Sequence, residues 1–198
     1  MIRVFVSYRS ADAPFAAVVI DKVLSEWFGR EQVFFDNRSI RPGRHFPPEI
    51  WRALNTCQVL IAVIGPNWLE PTGDGLYPLD DPDDYLRREI AVALARDVLV
   101  VPVLVGAAML PEAHALPADI AGLASRQYLR LRVRDSRYDL MRLVDELEDL
   151  IGGASPRPER PAGDWGDPSP AATNHFHAPV AVHGAVFGNA FESSFQTK

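Results

Sequence analysis

Five short apolar runs alternate along the chain with longer segments in which apolar residues recur every three or four positions. Continuous runs rich in β-branched and aromatic residues are typical of strands buried on both faces, whereas the wider spacing is typical of amphipathic helices. Strands that alternate with helices predict an α/β fold with helices on both faces of a parallel sheet. We therefore predict a flavodoxin-like sheet of strand order 2-1-3-4-5. The predicted strands span residues 2–8, 32–36, 59–64, 98–105 and 127–131.

The segments between these runs carry residues that begin and end helices. Pro14 suits a first helical turn, and Gly29 closes the same segment. Pro102 lies inside the fourth run and counts against a central strand, because proline removes a donor from the ladder. Further helices are predicted from Pro47 or Pro48 onward and at residues 85–94, 118–124 and 138–151. In the first helix the apolar positions at helical spacing are Phe15, Val18, Val19, Val23, Leu24 and Trp27.

Residues 85–94 predict a helix with one apolar stripe, and Asp83 or Asp84 ahead of it can cap its start. Tyr85 and Glu89 stand four residues apart and therefore share a face of that helix, one turn apart. An aromatic ring and a carboxylate in this arrangement can stack on a flat ring and hydrogen-bond a sugar. For an isolated helix, the commoner interpretation of such a glutamate is a solvated charge beside a neighbouring arginine.

Several polar positions directly follow predicted strands. Tyr8 and Asp36 end the first two strands, Gly65 follows the third, and a polar loop at residues 67–84 precedes Tyr85. The carboxyl ends of parallel strands meet at one edge of the sheet, where ligands of such folds bind. A loop of this length is uncommon in a compact domain and is often functional. We therefore expect these positions to gather around one site.

Composition narrows the class of protein. Hydrophobic residues make up 47% of the 198 positions, which suffices for a full core, and the net charge of −6 argues against a nucleic-acid surface. The single cysteine, Cys57, excludes a disulfide framework. The N-terminus lacks the pattern of a signal peptide, and no apolar run approaches the length of a membrane span. We expect a cytoplasmic protein with neither a nucleic acid nor a membrane as a partner.

Residues 152–198 differ in composition from the rest of the chain. Five prolines lie in residues 152–173, which we interpret as a linker between a domain at residues 1–151 and a tail at residues 174–198. Apolar or small residues alternate along the tail, which predicts a strand suited to amyloid-like stacking between copies. A disordered or locally docked tail is the alternative. The tail residues His175, His177 and His183 lack a further ligand, so no metal site is predicted.

Three stretches together resemble the Toll/interleukin-1 receptor (TIR) domain family, in the order in which that family carries them. Residues 4–12 (VFVSYRSAD) resemble its first box, and residues 41–46 (RPGRHF) resemble its loop between the second strand and the second helix. Residues 85–94 (YLRREIAVAL) are similar to the glutamate helix of the NAD-cleaving members. The resemblance covers residues 1–151 and implies the flavodoxin-like fold already predicted.

The resemblance also implies roles for individual residues. Glu89 stands at the position of the catalytic glutamate, and Tyr85 stands where the family often has a tryptophan that stacks on the substrate. Tyr8 and Arg9 match positions that line the nicotinamide pocket. Phe46 matches an aromatic residue of the mobile loop.

The chemistry of N-glycosidic cleavage is compatible with these residue types. A departing nicotinamide leaves a ribose of oxocarbenium character, which a carboxylate stabilises. Arg9, Arg41 or Arg44 could contact the pyrophosphate, and Asp36 is added to the site by topology rather than by a motif. No Gly-x-Gly-x-x-Gly follows the first strand, so a redox dinucleotide site is unsupported.

We therefore expect a NAD+ hydrolase that takes NAD+ as its substrate and needs no cofactor. We expect activation by self-association through the domain and the tail, in bacterial immune or cell-suicide signalling. The alternative is a non-catalytic TIR adaptor that acts by binding other TIR domains. An aromatic residue one turn before Glu89 favours the enzyme, because an adaptor needs neither residue. Free ADP-ribose, a cyclic form and a base-exchanged nucleotide are all compatible products.

Overall fold

The computed structural model describes residues 3–35, 46–73, 75–132 and 134–151. Five strands form one all-parallel sheet of order β2-β1-β3-β4-β5, which confirms the predicted flavodoxin-like fold. Each strand lies within its predicted run, and the predicted linker and tail lie outside the described residues. The strands are β1 (Val4–Ser7), β2 (Val33–Phe35), β3 (Val59–Ile64), β4 (Leu99–Val105) and β5 (Leu129–Leu131).

The helices follow the predicted spacing, except that two begin earlier than expected, at Phe46 and Ser136, and one is not an α-helix. The helix after the second strand begins at Phe46 and includes both following prolines in its first turn, where proline costs no hydrogen bond. The helix expected at residues 118–124 is a 3₁₀ segment, Ala121–Ser125, because a short segment that contains Gly122 cannot sustain an α-helix. No helix of the described residues is long and apolar enough to cross a membrane. The described α-helices are α1 (Pro14–Phe28), α2 (Phe46–Thr56), α3 (Tyr85–Ala95) and α4 (Ser136–Ile151).

The sheet separates two hydrophobic cores, because successive residues of a strand point to opposite faces. In β1, Val4 and Val6 pack with apolar residues of α1 and α4, whereas Phe5 packs with those of α2 and α3. The strands β2 and β3 alternate in the same way. The helix that carries Glu89 therefore covers the face of the sheet to which Phe5 points.

Pro102 lies inside β4 in spite of the missing donor. It pairs with Ala62 of β3, while the pairing of β4 with β5 begins only at Val103. At Pro102 the strand therefore has a ladder partner on one side alone, which is the kind of position where a sheet tolerates proline.

The buried side of α1 differs from the stripe expected from the sequence. Ile20 and Leu24 are fully buried, whereas Phe15 is 87% exposed and Val18 and Val19 are 51% and 42% exposed. The helix is apolar on two sides, so periodicity alone does not select the side that faces the sheet. We call Phe15, Val18 and Val19 the α1 surface.

Candidate active site

The carboxylate of Glu89 lies at the carboxyl end of β1. Ser7, the last residue of that strand, donates its hydroxyl hydrogen to Oε2 of Glu89 over an O–O distance of 2.6 Å. Ser7 is 1% exposed and Glu89 is 7% exposed. A carboxylate buried to this extent is costly unless donors meet it, and the Ser7 hydroxyl is such a donor. The Glu89 side chain is therefore buried and hydrogen-bonded, unlike the solvated charge expected on an isolated helix.

Strand alternation explains why Ser7, and not Tyr8, meets Glu89. Ser7 points to the same face of the sheet as Phe5, towards α3. Tyr8 packs against the opposite core, where its ring stacks on Phe35 with centroids 4.9 Å apart. The ring of Tyr8 therefore lies on the other side of the sheet from α3. Its predicted role in a nicotinamide pocket stays a prediction.

Ser7 was missed as a site residue by sequence reasoning. A signal was present, because Ser7 is a polar residue that continues the buried run of β1 on the face marked by Phe5. A buried hydroxyl requires a partner, and a strand terminus at the ligand-binding edge is where that partner can be functional.

An ion pair fixes the start of α3 to the end of β1. The two terminal nitrogens of Arg9 donate to the two carboxylate oxygens of Asp84 at 3.0 and 3.1 Å. Asp84 also caps α3, because its Oδ1 accepts the backbone N–H of Arg87 at 2.9 Å. The side chains of Arg9 and Asp84 are 17% and 14% exposed. Arg9 was expected to line the nicotinamide pocket or to contact the pyrophosphate, but in this structure its guanidinium is engaged with Asp84.

Tyr85 is the first residue of α3 and directly follows the Asp84 cap. It is 42% exposed, whereas Glu89, four residues later, is buried. The two side chains share one side of the helix, one turn apart. This arrangement can take a flat ring against Tyr85 near the surface while the carboxylate of Glu89 meets a hydroxyl group more deeply.

The remaining predicted residues belong to the segment before α2. Asp36, Arg41 and Arg44 lie outside the described residues. Phe46 is the first residue of α2, so its backbone is helical rather than part of the preceding loop. The structure does not describe its side chain. Their predicted contacts with substrate stay predictions.

The helix that follows this segment is linked to α3 by an aromatic contact. The guanidinium carbon of Arg88 lies 4.7 Å from the ring centroid of Trp51, which is the geometry of a cation–π interaction. Trp51 belongs to α2 and Arg88 directly precedes Glu89. The contact therefore adds to the core packing that joins α2 to the Glu89 helix.

Asp12 organises the turn after β3. Its two carboxylate oxygens accept the backbone N–H groups of Gly65 at 2.7 Å and Asn67 at 2.9 Å. Gly65 has no room for a side chain, because a Cβ there would collide with the Asp12 carboxylate. The long loop that leads to Asp84 therefore leaves the sheet along a fixed path.

Two other features of the described residues bear on the site. Among these residues, no group of three or more histidine, cysteine or acidic side chains could hold a metal ion. A shallow groove of about 600 Å³ lies along Ala91, Val92 and Ala95, on a side of α3 that does not include Glu89. Its lining is mostly apolar, and its charged members are Asp119 and Arg126.

Comparison with known proteins agrees with this architecture. The family model described as a TIR domain matches residues 4–144. The chain belongs to the TIR domain family. The match includes β1, all of the described helices except the last turns of α4, and both Ser7 and Glu89.

Solved TIR domains share the fold at low sequence identity. The TIR domains of the activated Roq1 resistosome, which directly recognises the pathogen effector XopQ, are 14% identical with a TM-score of 0.55, and the match covers 74% of this chain and 99% of that one. The TIR domain of the Toll-related receptor TRR-2 from Hydra magnipapillata is 17% identical with a TM-score of 0.52, covering 75% and 99%. Identities of this size support the fold and nothing finer. A comparison with curated proteins gave no match.

Proposed function

We propose that this TIR domain is a NAD+ hydrolase that cleaves the N-glycosidic bond between nicotinamide and ribose. The observation that carries the proposal is the buried, hydrogen-bonded carboxylate of Glu89 at the carboxyl end of β1, one helical turn from the exposed ring of Tyr85. Burial of a charge is costly unless it is paired, and the Ser7 hydroxyl that meets Glu89 is neutral, which supports a functional role.

The chemistry follows from the charges of the reaction. Nicotinamide in NAD+ is a cationic leaving group, and its departure leaves positive charge on the ribose. A fixed carboxylate stabilises that charge in the transition state more than in the ground state, which is what accelerates a reaction. The flat nicotinamide ring can stack on Tyr85, and a water molecule then attacks the ribose carbon to give ADP-ribose. NAD+ is the substrate in this scheme, and no cofactor is required.

The deciding experiment is NAD+ turnover by concentrated, full-length protein, followed as released nicotinamide by liquid chromatography. Glu89→Gln is the matched test variant. It keeps the size of the side chain and an oxygen that can accept the hydrogen bond from Ser7, while it removes the charge. We expect loss of more than about 100-fold in turnover with an unchanged circular dichroism spectrum. Full activity in folded Glu89→Gln, or no cleavage by the wild type at any concentration, would refute the proposal.

Self-association is the second part of the proposal. The α1 surface exposes Phe15, Val18 and Val19, and a cluster of exposed apolar side chains is typical of a protein contact. If the competent state forms between copies, activity per molecule should rise with protein concentration. The predicted tail at residues 174–198 would raise the local concentration of domains without a new contact at the site.

The α1 surface also favours a second candidate, a non-catalytic TIR adaptor that acts by homotypic binding. This candidate predicts association without NAD+ cleavage. Sedimentation of Phe15→Ser beside the turnover assay separates the two functions: an adaptor loses association and has no turnover to lose, whereas a self-activating enzyme loses both. Bacterial immune or cell-suicide signalling is the setting that we propose for the enzyme, since depletion of NAD+ halts metabolism.

A further inference from the structure

Ser7 presents its hydroxyl from a rigid part of the fold. It ends β1, a strand that lies between β2 and β3, and its backbone is paired in register with Ala62 of β3. It is 1% exposed, and the same-face residue two positions earlier, Phe5, is fully within the core. Groups carried by packed strands are held more precisely than groups carried by loops.

The contact of this hydroxyl is with the carboxylate proposed to act in catalysis. A glutamate side chain has several rotatable bonds, so its carboxylate can point in many directions unless a partner selects one. The 2.6 Å bond from Ser7 restrains Oε2 and thereby narrows the directions in which the carboxylate can point. The Arg9–Asp84 ion pair holds the start of the same helix to the segment that directly follows β1.

We propose that Ser7 is a positioning residue for Glu89, which rests on the proposed NAD+ hydrolase function. Ser7 does not touch the substrate. It orients the Glu89 carboxylate towards the ribose and keeps it there while positive charge develops. Misplacement of a catalytic group by about 1 Å can lower a rate by about 100-fold, so loss of the Ser7 bond should lower kcat far more than it changes KM.

A purely structural role predicts a different result. If Ser7 merely satisfies a buried glutamate, its removal lowers stability, and the folded fraction retains the kcat of the wild type. Val6→Ala supplies the matched control, because Val6 is the neighbouring residue of β1, is 1% exposed and points into the opposite core. Val6→Ala should lower Tm while kcat of the folded enzyme is kept.

The test measures kcat, KM and Tm for wild type, Ser7→Ala, Ser7→Thr and Val6→Ala in the full-length chain. We expect Ser7→Ala to lower kcat by about 100-fold with KM changed less than about threefold. Ser7→Thr retains a hydroxyl and should restore most of kcat. Ser7→Cys, which keeps the size but donates weakly, replaces Ser7→Ala if the alanine variant does not fold.

Each outcome decides one of the two proposals. Wild-type kcat in folded Ser7→Ala, or a loss in Ser7→Thr as large as in Ser7→Ala, overturns the role of Ser7 and leaves the hydrolase standing. Absence of NAD+ cleavage by the wild type, or wild-type activity in Glu89→Gln, overturns both proposals. A low kcat in Ser7→Ala, restored in Ser7→Thr and kept in Val6→Ala, establishes Ser7 as a positioning residue.

Discussion

Replacement of Asp84 tests whether the end of β1 holds the Glu89 helix in place. Asp84 does two things, since it caps α3 through the N–H of Arg87 and accepts two hydrogen bonds from Arg9. Asp84→Ala removes both, whereas Asp84→Ser removes the ion pair and keeps a residue type that caps helices well. The pair of variants therefore separates the cap from the ion pair.

The expected magnitudes follow from burial. Loss of an N-cap costs about 1 kcal/mol in the free energy of unfolding. Loss of one partner of a buried ion pair costs about 3–5 kcal/mol, and because 17% and 14% of the two side chains stay exposed we expect about 2 kcal/mol here. Asp84→Ser should thus lose about 2 kcal/mol and Asp84→Ala about 3 kcal/mol, which for a domain of this size is a fall in Tm of roughly 4–8 °C and 6–12 °C.

Urea unfolding at neutral pH, followed by circular dichroism, gives both free energies. Asp83→Ala is the control, because Asp83 precedes Asp84 and forms a 3.9 Å pair with Arg88 in which its own side chain is 92% exposed. Such exposed pairs contribute little, so this variant should unfold like the wild type. Wild-type stability in Asp84→Ser would refute the idea that Arg9 anchors α3, and equal loss in both Asp84 variants would show that the cap contributes nothing.

Three further predictions concern separate side chains. Tyr85→Ala should lower kcat/KM about tenfold more than Tyr85→Trp, because stacking area is what the site uses, and equal losses would point to the hydroxyl. The Arg132 guanidinium lowers the pKa of Asp139 below its ordinary 3.8. This contribution to stability is therefore complete near neutral pH and is lost as pH falls through the lowered pKa. The stability difference between wild type and Asp139→Asn should shrink below pH 3.8, and a difference that grows there would refute this. Burial raises the pKa of the Cys57 thiol to about 11, so alkylation near neutral pH should require unfolding, and rapid labelling of native protein would contradict it.

The strands were the part of the fold that the sequence predicted best. β3 has the predicted bounds, residues 59–64, because a strand buried on both faces is a continuous apolar run whose ends are sharp. The strand order also followed, since alternation of strands and helices restricts a parallel sheet to few topologies. The side of α1 that faces the sheet could not be predicted from the sequence. Phe15 and Ile20 lie on different apolar sides of one helix, and only packing selects the buried side.

The candidate site was predicted as a location and missed as a set of contacts. Strand ends and the helix at Tyr85 pointed to one edge of the sheet, where Ser7 contacts Glu89 and Arg9 contacts Asp84. The contacts themselves join residues 82 and 75 positions apart in the chain, and no local pattern encodes such a pairing. Arg9 is an example, because its motif gave no sign of the ion pair with Asp84, and its predicted role towards a ligand stays a prediction.

The opposite directions of Ser7 and Tyr8 have a consequence for how this protein can change over evolutionary time. The layer of α2 and α3 carries Glu89, and the layer of α1 and α4 carries the α1 surface, with the sheet between them. Mutations that alter the contacts between copies need not pass through the residues around Glu89. A lineage could therefore exchange its assembly partners while its chemistry stays constant, or lose its chemistry and persist as a binding module.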